Sequence, residues 1–229
     1  MTTAINGISS MATRLLLAEL VAGFQQRSGV RVEMASVGGV DAARRVQSGE
    51  AFDVVVLASD AIDKLMAAGH LRANSKVDLV RSGVAVAVRA GAPRPDISTE
   101  EAVRAAVLAA SSISYSTGPS GVALAKLFER WGIAAEIQSR IVQAPPGVPV
   151  GALVTRGEVA LGFQQLSELL PLDGITVLGP LPPAIQVTTI FSAAVATTSV
   201  QSDAVRALLD YMGSPEVAEA KRKQGMDPV

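Results

Sequence analysis

The chain has 229 residues and a formal net charge of -1, and it is 49% hydrophobic but only 3% aromatic. That length buries a sizeable core built from Ala, Val, Leu and Ile, while the charge balance leaves no electrostatic footprint for nucleic acid or an anionic membrane. The absence of cysteine excludes disulfides, thiol nucleophiles and Cys-ligated metals, and His70, the only histidine, cannot form a metal-binding cluster.

In chain order, residues 3–8 read as a short strand, from Thr3 to Ile8. A helix is predicted from Met11 to about Arg27, with Leu16, Leu20 and Phe24 at helical spacing. Gly29 ends it, and residues 30–34 alternate like a strand. After Gly38-Gly39 a helix runs to Gln47 and stops at Gly49. Residues 53–58 form a nearly continuous apolar run, as expected of a buried parallel strand, and Ser59-Asp60 start a helix that ends near Gly69. This βαβαβα order is that of a parallel sheet covered by helices.

Residues 82–89 are the next predicted strand, followed by a rigid break at Gly91-Ala92-Pro93-Arg94-Pro95. Ser98-Thr99-Glu100-Glu101 reads as a capping box for a helix to about Ala110. A strand over 113–116 leads to the Pro119-Ser120-Gly121 turn and a helix to Trp131, closed by Gly132. Residues 136–142 read as a helix end and a short strand, and Pro145-Pro146-Gly147 as a loop. A helix over 149–156, a strand over 160–164, a short helix over 167–170 and a strand over 175–178 follow. Pro180-Leu181-Pro182-Pro183 is a second break before a long β-branched strand over 186–196. Ser202 and Ser214 read as N-caps of two closing helices, the second with Pro215 at its first position. The proline breaks bracket residues 91–184 as a second α/β lobe inserted into a first lobe of residues 1–90 and 185–229. The strands over 82–89 and 186–196 connect the lobes, which predicts a ligand cleft between them.

Three small-residue turns each follow an apolar run and open a predicted helix: Gly7-Ile8-Ser9-Ser10, Ser36-Val37-Gly38-Gly39 and Thr117-Gly118-Pro119-Ser120-Gly121. A helix N-terminus carries unpaired N–H groups and a partial positive charge, so such turns admit a small anion. Ser9 and Ser10 serve equally as plain N-caps, and Gly38-Gly39 as a flexible turn. Ser120 with Gly121 is the best anion candidate, because no charge competes there. Ser59 lies at the carboxyl end of a buried strand, where ligands of open parallel sheets bind, or it caps its own helix with Asp60. Gln164 and Gln165 point to opposite faces of a strand, so one faces the ligand and the other is structural. His70 reads as structural, Arg44 and Arg45 as a solvated helix face, and Arg89 as an ion-pair partner or a charge for a carboxylate. Neither Gly-x-Gly-x-x-Gly nor a P-loop occurs, and carboxylates are not clustered at metal-ligand spacing, so no cofactor and no metal is expected.

The run Ala43-Arg44-Arg45-Val46-Gln47-Ser48-Gly49-Glu50-Ala51-Phe52-Asp53-Val54 resembles a segment of the molybdate-binding proteins of ABC transporters. Gly69-His70-Leu71, the run from Ser75 to Arg81, Pro119-Ser120-Gly121 and Gly157-Glu158 are similar to further segments of that family. Gly225-Met226-Asp227-Pro228 resembles the extracellular solute-binding branch of the same superfamily. The resemblance implies a type II periplasmic-binding-protein fold: an α/β chain of two lobes, with mixed sheets flanked by helices and two crossing strands. It places Ser10, or its neighbour Ser9, on the family's first binding serine and Ser120 on its third site. The second serine falls at Gly38-Gly39, the fourth site at Gly147-Val148, and a binding tyrosine near Gln165. The missing serine and the missing tyrosine shift the expected ligand from molybdate to a small organic anion such as a carboxylate. The same superfamily also holds an enzyme, aconitate isomerase, that looks like a solute binder.

The leading expectation is a monomeric solute-binding protein that captures a small anion by lobe closure and hands it to an ABC transporter permease. The alternative is an isomerase of an unsaturated polycarboxylate on the same scaffold. That alternative needs a base, and Ser, Gly and Gln are poor ones, so a Glu, a Lys or Tyr115 has to supply it. A cytoplasmic sensor is a third reading, but no partner surface is visible. The apolar stretch from Leu15 to Phe24 is interrupted by Glu19 and too short to span a membrane. As written, the N-terminus has no signal-peptide pattern, so the chain is expected in the cytoplasm, or in the periplasm if a leader has been removed.

Overall fold

The computed structural model describes residues 4–145 and 147–229. The predicted strand start at Thr3 and the loop residue Pro146 lie outside the described residues. The chain forms two compact units, one comprising the residues up to Ser82 together with Ile190–Val229, the other Gly83–Thr189.

In the first unit three strands, β1 (Ile5–Ser10), β2 (Val32–Val37) and β3 (Val54–Ala58), are parallel, with β1 paired to both of the others. Helices α1 (Arg14–Ser28), α2 (Gly39–Gln47) and α3 (Ser59–Ala67) follow them in turn. Every residue of β3 is buried, which explains its continuous apolar run. Its Val54 and Val56 face Leu16, Leu20 and Phe24 of α1, whereas Val55 and Leu57 face Val46 of α2 and Ile62 and Leu65 of α3. The period-2 alternation of a strand thus supplies two cores from one segment. Strand β8 (Thr188–Val195) pairs antiparallel with β3, and β4 (Val77–Arg89) follows it in the strand order. The closing helices α9 (Ser202–Gly213) and α10 (Ala218–Lys223) lead to β9 (Met226–Pro228), which pairs antiparallel with β4.

In the second unit the later part of β4 pairs antiparallel with β6 (Leu161–Gln165) and with β7 (Ile175–Pro180), and β5 (Ile113–Tyr115) lies parallel to β6. Val84, Val86 and Val88 of β4 pack on one face with Phe163 of β6 and with Leu124 and Phe128 of α5 (Pro119–Arg130). The other face carries small residues, Ala85 and Ala87, against Leu169 of α8 (Leu166–Leu169). Helices α4 (Glu100–Ala109), α6 (Ala134–Ile137) and α7 (Val150–Thr155) complete this unit. Both proline breaks lie within it, because β4 and β8 begin or end beyond them.

Several element ends differ from the sequence expectation, each for a physical reason. Strand β1 runs through Ser10, since the β1–β2 ladder continues through Ser9 opposite Ser36 and Ser10 opposite Val37. A 3-10 turn, Met11–Thr13, then delays α1 to Arg14. Strand β4 starts at Val77 rather than 82, its charged Asp78 accepting a 2.5 Å hydrogen bond from Ser192 Oγ. The cap of α4 is Thr99, whose hydroxyl accepts from Ala102 N. Ser202 lies inside α9, where Gln201 is the N-cap. Ser214 precedes a 3-10 turn begun by Pro215, and its hydroxyl donates back to the Tyr211 carbonyl instead of capping.

At the amino end of β3 the buried Asp53 accepts hydrogen bonds from Asn6 N at 2.9 Å, Ser199 Oγ at 2.6 Å and Gln201 Nε2 at 3.0 Å. It ties β1 and β3 to the segment that returns from β8. Asp53→Ala strands these donors and is expected to cost about 3 kcal/mol in urea unfolding. A loss under about 0.5 kcal/mol would remove Asp53 from that role.

Candidate functional site

The parallel order of β1, β2 and β3 brings their carboxyl ends to one edge of the first unit. There α2 opens at Gly39 and α3 at Ser59, and Ser10 ends β1. The first N–H groups of α2 have no acceptor within the helix, and neither N-cap residue, Gly38 or Ala58, makes a side-chain capping bond.

Ser9 and Ser10 have distinct roles. Ser9 is fully buried, and its Oγ lies 2.8 Å from Ser36 Oγ and donates to the Ser10 carbonyl at 3.3 Å. That hydroxyl belongs to the sheet and caps no helix. Ser10 is 7% exposed, and its Oγ is buried with no hydrogen-bond partner. Its carbonyl is served by Thr13 Oγ1 at 3.1 Å as well as by Ser9, so only the hydroxyl is unused. A buried hydroxyl without a partner costs about 1–3 kcal/mol. Gly39 stands next to it: a Cβ built there would come 3.7 Å from Ser10 Cβ. The glycine keeps the start of α2 bare beside the unused hydroxyl.

In the second unit the parallel pair β5 and β6 ends beside the start of α5. Gly118 is the N-cap, without a side-chain bond, and Pro119 occupies the first turn. Ser120 and Gly121 then offer the first N–H donors. Ser120 is buried, and its Oγ lies 2.9 Å from Ser116 Oγ. A Cβ on Gly121 would meet the Ser116 carbonyl oxygen at 1.5 Å, so the turn closes only with glycine here. Val148 is partly buried, and its N–H is taken by the Pro145 carbonyl at 3.0 Å, next to Gly147 in the left-handed region at φ 77.

Gln164 and Gln165 are both buried, on opposite faces of β6, and both have partners. Gln165 Nε2 donates to Thr189 Oγ1 at 3.0 Å. Gln164 Oε1 accepts from Gly151 N at 3.0 Å, and its Nε2 donates to Glu168 Oε1 at 2.9 Å. Glu168, on α8, is partly buried, and burial pushes its carboxyl up to about 7, against a smaller lowering by Gln164. Sequence reasoning missed Glu168; the signal was its position four residues after Gln164. It also missed Ser114, whose buried Oγ has no partner.

Tyr115 is less suited to be a base. Its ring stacks edge-on against Phe128 at 5.7 Å, and burial raises the phenol pKa. Arg44 pairs with Asp41 at 3.3 Å, and Arg45 pairs with Glu50 and lies over the Phe52 ring. His70 lies beyond the C-terminal end of α3, at the opposite end of that helix from Ser59. Among the described residues no group of three or more His, Cys, Asp or Glu side chains is placed to hold a metal ion, and no helix is long and apolar enough to cross a membrane.

A mixed α/β fold with bare helix starts at the carboxyl edges of its sheets defines a class. The chain belongs to the bacterial extracellular solute-binding proteins, whose family model matches residues 5–227. It is 38% identical to a Pseudomonas protein named aconitate isomerase, over 99% of this chain and 88% of that one. Its fold matches the periplasmic molybdate-binding protein of Azotobacter vinelandii with a TM-score of 0.80 at 18% identity, covering 97% of this chain and 98% of that one. The sulfate-binding protein SubI of Mycobacterium tuberculosis H37Rv gives a TM-score of 0.80 at 17% identity, covering 99% and 87%. At such identities the likeness is one of fold.

The Glu168 carboxyl has a folded pKa above its unfolded one, so its stabilising contribution is full below about 4.5 and is lost as pH rises through about 7. Relative to Glu168→Gln, the wild type is expected to lose about 2 kcal/mol between pH 5 and 8, measured by urea unfolding. A difference independent of pH would contradict the raised pKa.

Proposed function

We propose that this protein captures a small polycarboxylate anion, using neutral donors at the carboxyl edges of its sheets. The observation that carries the reading is the unused, buried Ser10 hydroxyl beside the bare N-terminus of α2. A carboxylate oxygen there accepts from Ser10 Oγ and from the first N–H groups of α2, in the favourable field of the helix dipole. The second unit carries neutral N–H donors of the same kind at Ser120 and Gly121. Gly38 and Gly39 leave room for an organic anion where a serine would narrow the site, and the Gln164 and Gln165 amides, already bonded, fix the shape of the β6 end. Neutral donors suit the net charge of -1, which provides no basic patch.

The family supports a role outside the cytoplasm, with delivery to a transporter permease; in this reading the chain acts as a monomer. A second reading, isomerisation of the captured polycarboxylate, is favoured by the 38% identity to the protein named aconitate isomerase. Both readings require the same capture step.

A thermal-shift screen over di- and tricarboxylates, molybdate, tungstate and sulfate tests that step. A polycarboxylate at a hundredfold excess over Kd is expected to add about 2.7 kcal/mol, which raises Tm by about 5–10 °C. Stabilisation by the inorganic oxyanions alone would overturn the carboxylate assignment.

Ser10→Ala separates ligand from fold. It removes a hydroxyl that has no partner, so stability should stay level or rise by about 1 kcal/mol, while polycarboxylate affinity falls about 10–100-fold by calorimetric titration. A variant that loses stability and keeps affinity would place the Ser10 hydroxyl in the fold instead of the site.

A further inference from the structure

We propose that Glu168 is the group that moves the proton in the second unit, taking it from a carbon beside a carboxylate of a bound unsaturated polycarboxylate and returning it one allylic position away. The proposal rests on the isomerase reading. Its ground is the way the carboxyl is held. Glu168 lies just past the carboxyl end of β6, on the short α8 that continues from that strand. Its Oε1 accepts the Gln164 amide, and Gln164 is in turn fixed by the Gly151 N–H. One oxygen is therefore oriented by a two-step chain, as a base is oriented by a third group. Among the described residues Glu168 has no other side-chain partner, which leaves Oε2 for a substrate hydrogen.

The surroundings are apolar. Helix α7, strands β6 and β7 and the rest of α8 contain no charged residue, and Ala85, Ala87 and Leu169 line the sheet face that Gln164 shares. No cation there holds the carboxylate in an ion pair, which keeps it basic near neutral pH, in line with its raised pKa. Ser116 and Ser120 follow the adjacent strand, β5. Ser114 pairs with Gly162 across β5 and β6, and Ser116, just past the end of β5, lies 2.9 Å from Ser120 Oγ through its own hydroxyl.

The step balances within these groups. Oε2 takes a proton from a saturated carbon that lies beside one carboxylate and next to the carbon–carbon double bond. The C–H electron pair delocalises across the double bond into the conjugated carboxylate, whose growing charge the Ser120 and Gly121 N–H groups stabilise. The neutral Glu168 then returns the proton to the far carbon, and the double bond has moved by one position. No atom or electron is gained or lost.

The test follows double-bond migration in a tricarboxylic alkene by proton NMR, with calorimetric binding in parallel. Wild type should convert the substrate with a rate that rises with pH through about 7. Glu168→Gln should lower kcat at least about 100-fold and change Kd less than about threefold. Glu168→Asp, which keeps the carboxylate but retracts it, should retain measurable turnover. Gln164→Leu should move the midpoint of the pH profile upward, because the bond it removes favours the charged form. An active wild type whose Glu168→Gln and Gln164→Leu variants keep its rate and pH profile would overturn the assignment of Glu168. A wild type that binds the alkene but never converts it would overturn the isomerase reading itself, and the assignment with it.

Discussion

A parallel sheet collects the carboxyl ends of its strands on one edge, and each helix that follows a strand starts there with unpaired N–H groups. The first unit depends on this constraint. Because β1 pairs in parallel with both β2 and β3, Ser10, Gly39 and Ser59 reach the same edge although they are far apart in sequence. Side chains that cap helices elsewhere are missing at α2 and α3. The edge presents backbone N–H donors, with Asp41 in the first turn of α2 and Asp60 in the first turn of α3 beside them. At the amino edge Asp53 uses both carboxylate oxygens on three donors from two segments, and that end is closed.

Stability and function separate along the same lines. The cores are built almost wholly from aliphatic residues in two-faced strands, and β3 serves two clusters with alternate side chains. The groups with unused capacity sit at the carboxyl edges. Ser10 keeps a hydroxyl without a partner, and Glu168 holds a carboxyl whose ionisation burial opposes. Each costs stability in the folded chain, and such costs concentrate where a ligand or a proton has to be handled.

Much of this architecture was legible in the sequence. The apolar run after Asp53, the glycine stop at Gly29 and the Gly38-Gly39 and Pro119-Ser120-Gly121 helix starts all appear in the structure, because each rests on local chemistry. What depended on pairing was hidden. The extension of β1 through Ser10 needs β2 beside it, the early start of β4 hides behind Asp78 and Arg81, and β9 is three residues that form a strand only against β4. The candidate site was partly legible for the same reason. Small residues at helix starts mark it, yet the sequence does not distinguish Ser9, whose hydroxyl bonds to Ser36, from Ser10, whose hydroxyl has no partner. Nor does it show that Gln164 holds Glu168, a contact that bends from a strand into the next helix.

The central claim is that bare helix starts hold the anion. The most direct measurement follows backbone amide shifts by ¹⁵N–¹H NMR as a tricarboxylate is titrated into the wild-type protein. The account predicts saturable binding with the largest shifts at Gly39 and Val40, at the start of α2, and at Ser120 and Gly121, at the start of α5. Saturable binding that leaves these amides unmoved and shifts others instead would contradict it.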